Sequence, residues 1–274
     1  MDDPYDYGAI AAANSLSDVY SMGGKPLFAL NISALPATLP IEITQAIVRG
    51  AAEKAREAGV VIAGGHSIKD EEPKFGLVAL GIVQNHQLLT KSGLRPGDRL
   101  FLSKPLGSGV ITTALKRSLT SPEELEDAVT WMKRLNRDAA QLAVDFGLHA
   151  ATDITGFGLL GHATEMAEAS GVALRVHYPS IPLMKAAEKY AYAYTFPGGA
   201  ADNQLYFSPK VSVEGELSIN LQTLLYDPQT SGGLLIAVPE EKAAQFQAEA
   251  DARAIPMWQI GSVTPGSGIT ILAE

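Results

Sequence analysis

Cysteine is absent from all 274 residues. Disulfides, thiolate zinc sites, iron–sulfur clusters and thiol nucleophiles are therefore excluded within them. Long apolar runs are missing too, since no stretch reaches the roughly 18 residues that a membrane-spanning helix needs. Positive charge is in the minority, with 21 Lys and Arg against 30 Asp and Glu and a formal net charge of −9. Proteins that grip nucleic acid present basic faces to its phosphates, so no nucleic-acid partner is expected. The first residues, "MDDPYDYG", are acidic and turn-like and do not resemble a secretory leader. The expectation is a cytoplasmic protein with no membrane partner. The nucleotide loop G-x-x-x-x-G-K-[ST], the hydrolase elbow G-x-S-x-G and the zinc-protease helix H-E-x-x-H do not occur either.

What remains is a chain rich in core material, 46% hydrophobic and 19% charged. That balance suits packed domains and not disorder, and the length suits two of ordinary size. Residues 7–22, "YGAIAAANSLSDVYSM", predict a helix of small residues stopped by Gly23 and Gly24. "KPLFALNIS" predicts a strand, and residues 40–59 a second helix between Pro40 and Gly59. "VVIAGGHS" reads as a short buried strand running into a glycine turn, and residues 75–84 as another apolar strand. Helices alternating with strands predict a mixed α/β layer. The character changes in "KSGLRPGDRLFLSKPLGSG", which places a boundary near residue 95 and divides the chain into 1–95 and 96–274. Ser121, Pro122 and Glu124 form a capping box that opens one long amphipathic helix reaching "AVDFG". Residues 179–216 read as loops with one short helix.

Four motifs carry chemistry. "ATDITGFGLLGHATEM", residues 151–166, holds Gly156, Gly158 and Gly161 at G-x-G-x-x-G spacing. A dinucleotide site needs a buried strand before these glycines and an acid after the next strand. Here "TDIT" precedes them and the next strand ends "RVHY", so the context fails. A turn that simply opens the helix is the plainer alternative, but it leaves Asp153 unexplained. Asn14 and Asp18 lie four residues apart, on one face of the first helix. An amide and a carboxylate there could hold Mg²⁺ and a phosphate oxygen, or they could be an ordinary polar surface. In "AGGHS", the backbone of Gly65 with His66 and Ser67 could wrap an anion or simply turn the chain. "DPQTSGG", residues 227–233, is a turn signature. The other histidines have no metal-like spacing.

In this order, "DDPYDYGAIAAANSLSDVYSMGGKP", "AGGHSI", "KPLGSGVITTA", "TDITGFGLLGH" and "YDPQTSGGLL" resemble the signature blocks of selenophosphate synthetase, also called selenide, water dikinase. The resemblance runs from residue 2 to about residue 264. It implies the two-domain α/β (α+β) fold of aminoimidazole ribonucleotide synthetase, with an N-terminal domain that dimerises through its β-sheet. It also implies the reaction in which ATP, selenide and water give selenophosphate, AMP and orthophosphate. By position, Asp18 is similar to a residue that meets both metal and ATP, and Asp153 to a second metal-binding aspartate. Asn14 then matches a phosphate contact, and Gly65, His66 and Ser67 a nucleotide-contacting turn that serves the partner subunit. The expected cofactor is Mg²⁺, and the expected partners are ATP, selenide and a second copy of the chain. The family carries a Cys or selenocysteine, a lysine and a further aspartate ahead of the "DDP" block. These 274 residues begin at that block, so impaired turnover is expected of them. Two alternatives stand beside this reading. One is a non-catalytic nucleotide-binding or scaffolding dimer. The other is a related enzyme of the aminoimidazole ribonucleotide synthetase or thiamine-phosphate kinase type.

Overall fold

A computed structural model describes residues 1–274. The acidic start is a helix cap and not a free turn. Asp3 accepts the Asp6 N–H at 2.9 Å, Pro4 takes the first helical position, and α1 (Pro4–Ser21) follows. Next come β1 (Lys25–Leu35), α2 (Ile41–Glu57), β2 (Val61–Lys69) and β3 (Lys74–Ile82), the strands forming a sheet of order β2-β1-β3. The small residues of α1 admit a neighbouring backbone, since a Cβ on Gly8 would stand 1.9 Å from the Ile47 carbonyl oxygen of α2. The other sheet face is left apolar and exposed, with Ile32, Val61 and Val78 exposed by 45%, 68% and 49%.

The expected turn at "GGHS" is absent. β2 continues past a bulge at Ala63 and through Gly64 and Gly65, which pair in parallel with Leu30 and Asn31. The glycine serves close strand approach, because a Cβ on Gly65 would lie 2.1 Å from the Asn31 carbonyl oxygen.

The rest of the chain builds a mixed seven-stranded sheet of order β5-β8-β4-β9-β6-β10-β7. In chain order its elements are β4 (Arg99–Leu102), α3 (Ser108–Lys116), α4 (Pro122–Lys133), α5 (Arg137–Asp145), β5 (Ala150–Asp153), α6 (Gly158–Ser170) and β6 (Ala173–His177). These are followed by α7 (Ala187–Tyr192), α8 (Gly198–Phe207), β7 (Val211–Glu214), α9 (Ile219–Leu224), β8 (Leu234–Val238), α10 (Glu240–Ala252), β9 (Trp258–Thr264) and β10 (Gly268–Leu272). β10 pairs in parallel with β6 and β7, and the remaining pairs are antiparallel. The capping box of α4 is formed in both directions, Glu124 N–H to Ser121 Oγ and Ser121 N–H to Glu124 Oε2.

Two expectations fail in this half. The long helix after Ser121 is two helices, because the chain turns extended at Arg134 and restarts at Arg137. The break delivers Asn136, 3% exposed, to buried partners outside the helix. Residues 179–216 hold two helices and an edge strand in place of loops with a single helix. Their helical signal is short, but Ala187, Tyr190 and Ala191 are buried against α3 and α4 residues.

One core joins the two sheets. Leu16, Tyr20 and Ala29 pack in the same buried cluster as Phe101, Leu142, Ile236 and Phe246. Helix α1 is therefore the seam: it covers its own sheet and also packs on α4, α5 and β5. That position decides which α1 side chains meet the second half.

Candidate active site

The meeting point lies where α1 crosses the end of β5. Asp153 is the last residue of β5 and is buried at 8% exposure. The Ser17 hydroxyl donates to Asp153 Oδ2 at 2.7 Å, and Asn136 Nδ2 donates to Ser17 Oγ at 2.9 Å. The same amide nitrogen donates to the Gly232 carbonyl at 2.8 Å. One side chain from the helix break thus fixes both α1 and the glycine turn before β8. Asp18, next to Ser17, stands exposed at the rim. Burial of its inner side raises its carboxyl above the usual range, and the Asp153 charge adds to the rise. Asn14, also exposed, accepts the Ser231 N–H on its Oδ1 at 3.1 Å.

Beneath this rim the "TSGG" turn is held from inside. Lys104, 2% exposed, donates its Nζ to the Ser231 carbonyl at 2.7 Å. Burial first and the Arg134 charge second bring this ammonium down to about 7, with Asp153 opposing the fall. Ser231 is in the left-handed region at φ 52°, and its buried Oγ has no partner. Asp227 is fully buried, and its Oδ2 accepts N–H bonds from Gly109, Val110 and Gln229 at 3.0, 3.2 and 2.9 Å. It caps the N-terminus of α3, while Gln229 Oε1 accepts the N–H groups of Gly107 and Ser108. The blocks "KPLGSG" and "DPQTSGG" therefore lock each other.

The glycines after Asp153 have packing duties. Gly158 opens α6 at φ 69°, and a Cβ there would lie 2.6 Å from the Tyr226 carbonyl carbon. Gly161 is pressed by Phe157 and Phe207, whereas Gly156 faces open space.

The donor set suits a hard divalent cation. Asp18 has no side-chain hydrogen bond, Asp153 keeps Oδ1 free of protein donors, and both offer oxygen. No third His, Cys, Asp or Glu joins them to complete a protein-only metal cage. Mg²⁺ is usually held this way, by one or two carboxylates with the remaining positions filled by water and substrate phosphate.

Comparison with known proteins assigns the family. Residues 1–83 match the family "AIR synthase related protein, N-terminal domain", and residues 95–274 match "AIR synthase related protein, C-terminal domain". A selenide, water dikinase of Caldanaerobacter subterraneus subsp. tengcongensis is 50% identical over 246 residues, covering 90% of this chain and 71% of the relative. One of Carboxydothermus hydrogenoformans is 44% identical over 268 residues, covering 98% and 78%. The chain belongs to the selenide, water dikinase family. In fold it is similar to the crystal structure of thiamine-monophosphate kinase from Stenotrophomonas maltophilia K279a, with a TM-score of 0.76 at 19% identity over 98% of this chain and 78% of that one.

Within this dikinase-family chain, Asn14, Asp18 and Asp153 share one seam. Gly65, His66 and Ser67 stand elsewhere, on the exposed edge strand β2, and the side chains of His66 and Ser67 make no hydrogen bond. Sequence reasoning missed Ser17, Lys104, Asn136 and Asp227. Ser17 was one step from Asp18, and Lys104 opened a quoted block, but neither adjacency reveals a buried partner.

Proposed function

We propose that this chain forms the nucleotide- and metal-binding core for ATP-dependent synthesis of selenophosphate from selenide and water, with release of AMP and orthophosphate. The observation that carries the reading is the pair Asp18 and Asp153, brought from separate halves of the chain to one seam. Bare carboxylates would repel a triphosphate. A bound Mg²⁺ would neutralise the phosphate charge and polarise the phosphoryl group under attack. Asp18 and Asp153 would hold that ion. Ser17 and Asn136 keep the Asp153 carboxylate in one orientation, and Asn14 presents its amide nitrogen to a phosphate oxygen while its Oδ1 stays on Ser231. Positioning of this kind supplies rate through charge stabilisation and alignment.

The reading includes a cytoplasmic homodimer, with a domain division near residue 95. The uncovered apolar face of the β2-β1-β3 sheet is the surface that a second copy would cover. Gly65, His66 and Ser67, on the edge of that sheet, would then reach the partner's nucleotide. Double substitution of Ile32 and Val78 by Lys should yield monomers in sedimentation velocity. A wild-type monomer, or an unchanged dimer in the variant, removes this part of the reading.

Calorimetry of ATP with Mg²⁺ tests the site. Asp18→Ala and Asp153→Ala should each weaken binding at least tenfold, and equal binding by all three proteins refutes the metal-site assignment. These residues hold no thiol, so slow turnover is proposed for them alone. Selenide-dependent AMP release is then measured with and without a relative's Cys- and Lys-bearing segment joined ahead of Asp2. No AMP from either form removes the synthetase reading.

A further inference from the structure

A cavity of about 410 Å³ lies between the C-terminal end of α1, the first residues of β1, the end of β3 and one face of α5. Asn14, Asp18 and Asp153 take no part in it. Tyr20 forms one of its walls; the residue is 3% exposed and its hydroxyl has no hydrogen-bond partner. A buried donor left unpaired costs about 1–3 kcal/mol, so an occupant that accepts from it is favoured.

The other polar groups indicate the sign of that occupant. Lys25 is exposed, lines the cavity and forms no ion pair. Arg137 is anchored through Nε to Asp138 Oδ1 at 3.0 Å and through one terminal nitrogen to the Glu57 carbonyl at 2.9 Å. Its second terminal nitrogen makes no bond within the protein. Gln84 and Gln87 add two side-chain amides without partners, and Leu27 and Ile82 supply an apolar wall. The open terminal nitrogen of a fixed guanidinium, a free ammonium and an unpartnered hydroxyl are donors with bonds still to make, the set that a phosphate dianion satisfies. The volume exceeds what a bare phosphate fills and lies in the range of small-molecule sites, about 300–1,000 Å³.

We infer that this cavity binds a phosphate monoester with an uncharged organic body, of nucleoside monophosphate size. The phosphate sits between Lys25 and Arg137 and accepts from the Tyr20 hydroxyl. The organic body lies on Leu27 and Ile82, with its polar edge toward Gln84 and Gln87. Both sites are built on α1, and Arg137 directly follows Asn136, so an occupant here touches the segments that hold Ser17 and Asp153.

The probe is AMP in EDTA, followed by calorimetry, which keeps this site separate from the metal-dependent one. Wild type should bind one AMP per chain, and Asp18→Ala should bind it equally well. Lys25→Ala should weaken binding about tenfold and Tyr20→Phe about fivefold, the effects expected of hydrogen bonds to a charged group. Lys25 is exposed, so its removal leaves the core intact. Adenosine binding as tightly as AMP would overturn the phosphate assignment. Loss of binding in Asp18→Ala with retention in Lys25→Ala would move the nucleotide to the carboxylate seam and overturn the site. Absence of AMP binding at millimolar concentration would also overturn it.

Discussion

Replacing Asn136 by Ala removes one side chain and two buried hydrogen bonds, to Ser17 Oγ and to the Gly232 carbonyl. The Ser17 hydroxyl still donates to Asp153, so its loss is the milder one. The Gly232 carbonyl loses the donor that reached it from the helix break. A buried group stripped of its partner costs about 1–3 kcal/mol, which puts the total at about 2–4 kcal/mol. Asn136 makes no side-chain capping bond to α5, so no cap is lost with it. For a chain of this size each kcal/mol moves the melting temperature by about 2–4 °C, so a drop of about 4–16 °C is expected. Asn136→Asp should be worse than Ala, because it sets acceptors against the Gly232 carbonyl and adds negative charge near Asp153. Thermal melts by circular dichroism measure the order, and calorimetry measures Mg²⁺-ATP affinity, which should fall about tenfold as the Ser17–Asp153 pair loses its anchor on Asn136. If Asn136→Ala melts within about 1 °C of wild type, or Asn136→Asp is the more stable variant, the relay is not what holds the seam.

Two further outcomes concern the turns. Burial pushes the Asp227 carboxyl up to about 7, against the pull of its three N–H donors. Between the unfolded value near 4 and about 7, the folded chain keeps a proton that the unfolded chain has released. Stability should therefore be greatest below about pH 4 for this group and fall by up to about 4 kcal/mol as pH rises to about 7. Urea midpoints at several pH values check this, and Asp227→Asn should lose that slope. Within "TGFGLLG", Gly158→Ala combines positive φ with a Cβ 2.6 Å from the Tyr226 backbone and should cost about 3 kcal/mol or more. Gly156→Ala, with nothing within 4 Å, should be near neutral, and equal melting of the two variants would contradict the packing role.

Legibility followed the range of the forces involved. The capping box at Ser121 and Glu124, and the helix bounded by Pro40 and Gly59, depend on neighbours in the chain and were readable as such. The pairing of Asn14 with Asp18 on one helix face was readable from spacing, and Asp153 from its odd position before a glycine loop. Their encounter was not, because Ser17 and Asp153 are 136 residues apart and no local pattern encodes a hydrogen bond between them. Asn136 was hidden for the opposite reason. The apolar repeats on either side of it continue in helical register, so periodicity reads straight through a break that only its buried partners explain. "GGHS" misled because paired glycines suit a turn and a tightly paired strand equally well, and only the approach of Asn31 decides between them.

The electrostatics of the seam point to what completes it. The Asp18 carboxyl is raised by burial and by Asp153, and the Lys104 ammonium is lowered by burial and by Arg134. Each shift marks a charge without enough compensation, and the two do not cancel because Lys104 bonds a carbonyl and not a carboxylate. Putting Lys104 against Asp153 would satisfy both groups, but it would fill the place of a cation with a fixed ammonium. Lys104 is instead held on the Ser231 carbonyl, which keeps the carboxylates open as the proposed Mg²⁺ site requires. A ligand that binds only the folded chain adds about 2.7 kcal/mol at one hundred times its dissociation constant. Mg²⁺ and ATP together should therefore raise the melting temperature by about 5–10 °C. ATP in EDTA, or Mg²⁺ alone, should raise it much less, and Asp18→Ala should abolish the difference. An equal rise with ATP in EDTA would show that the carboxylates do not act through a metal.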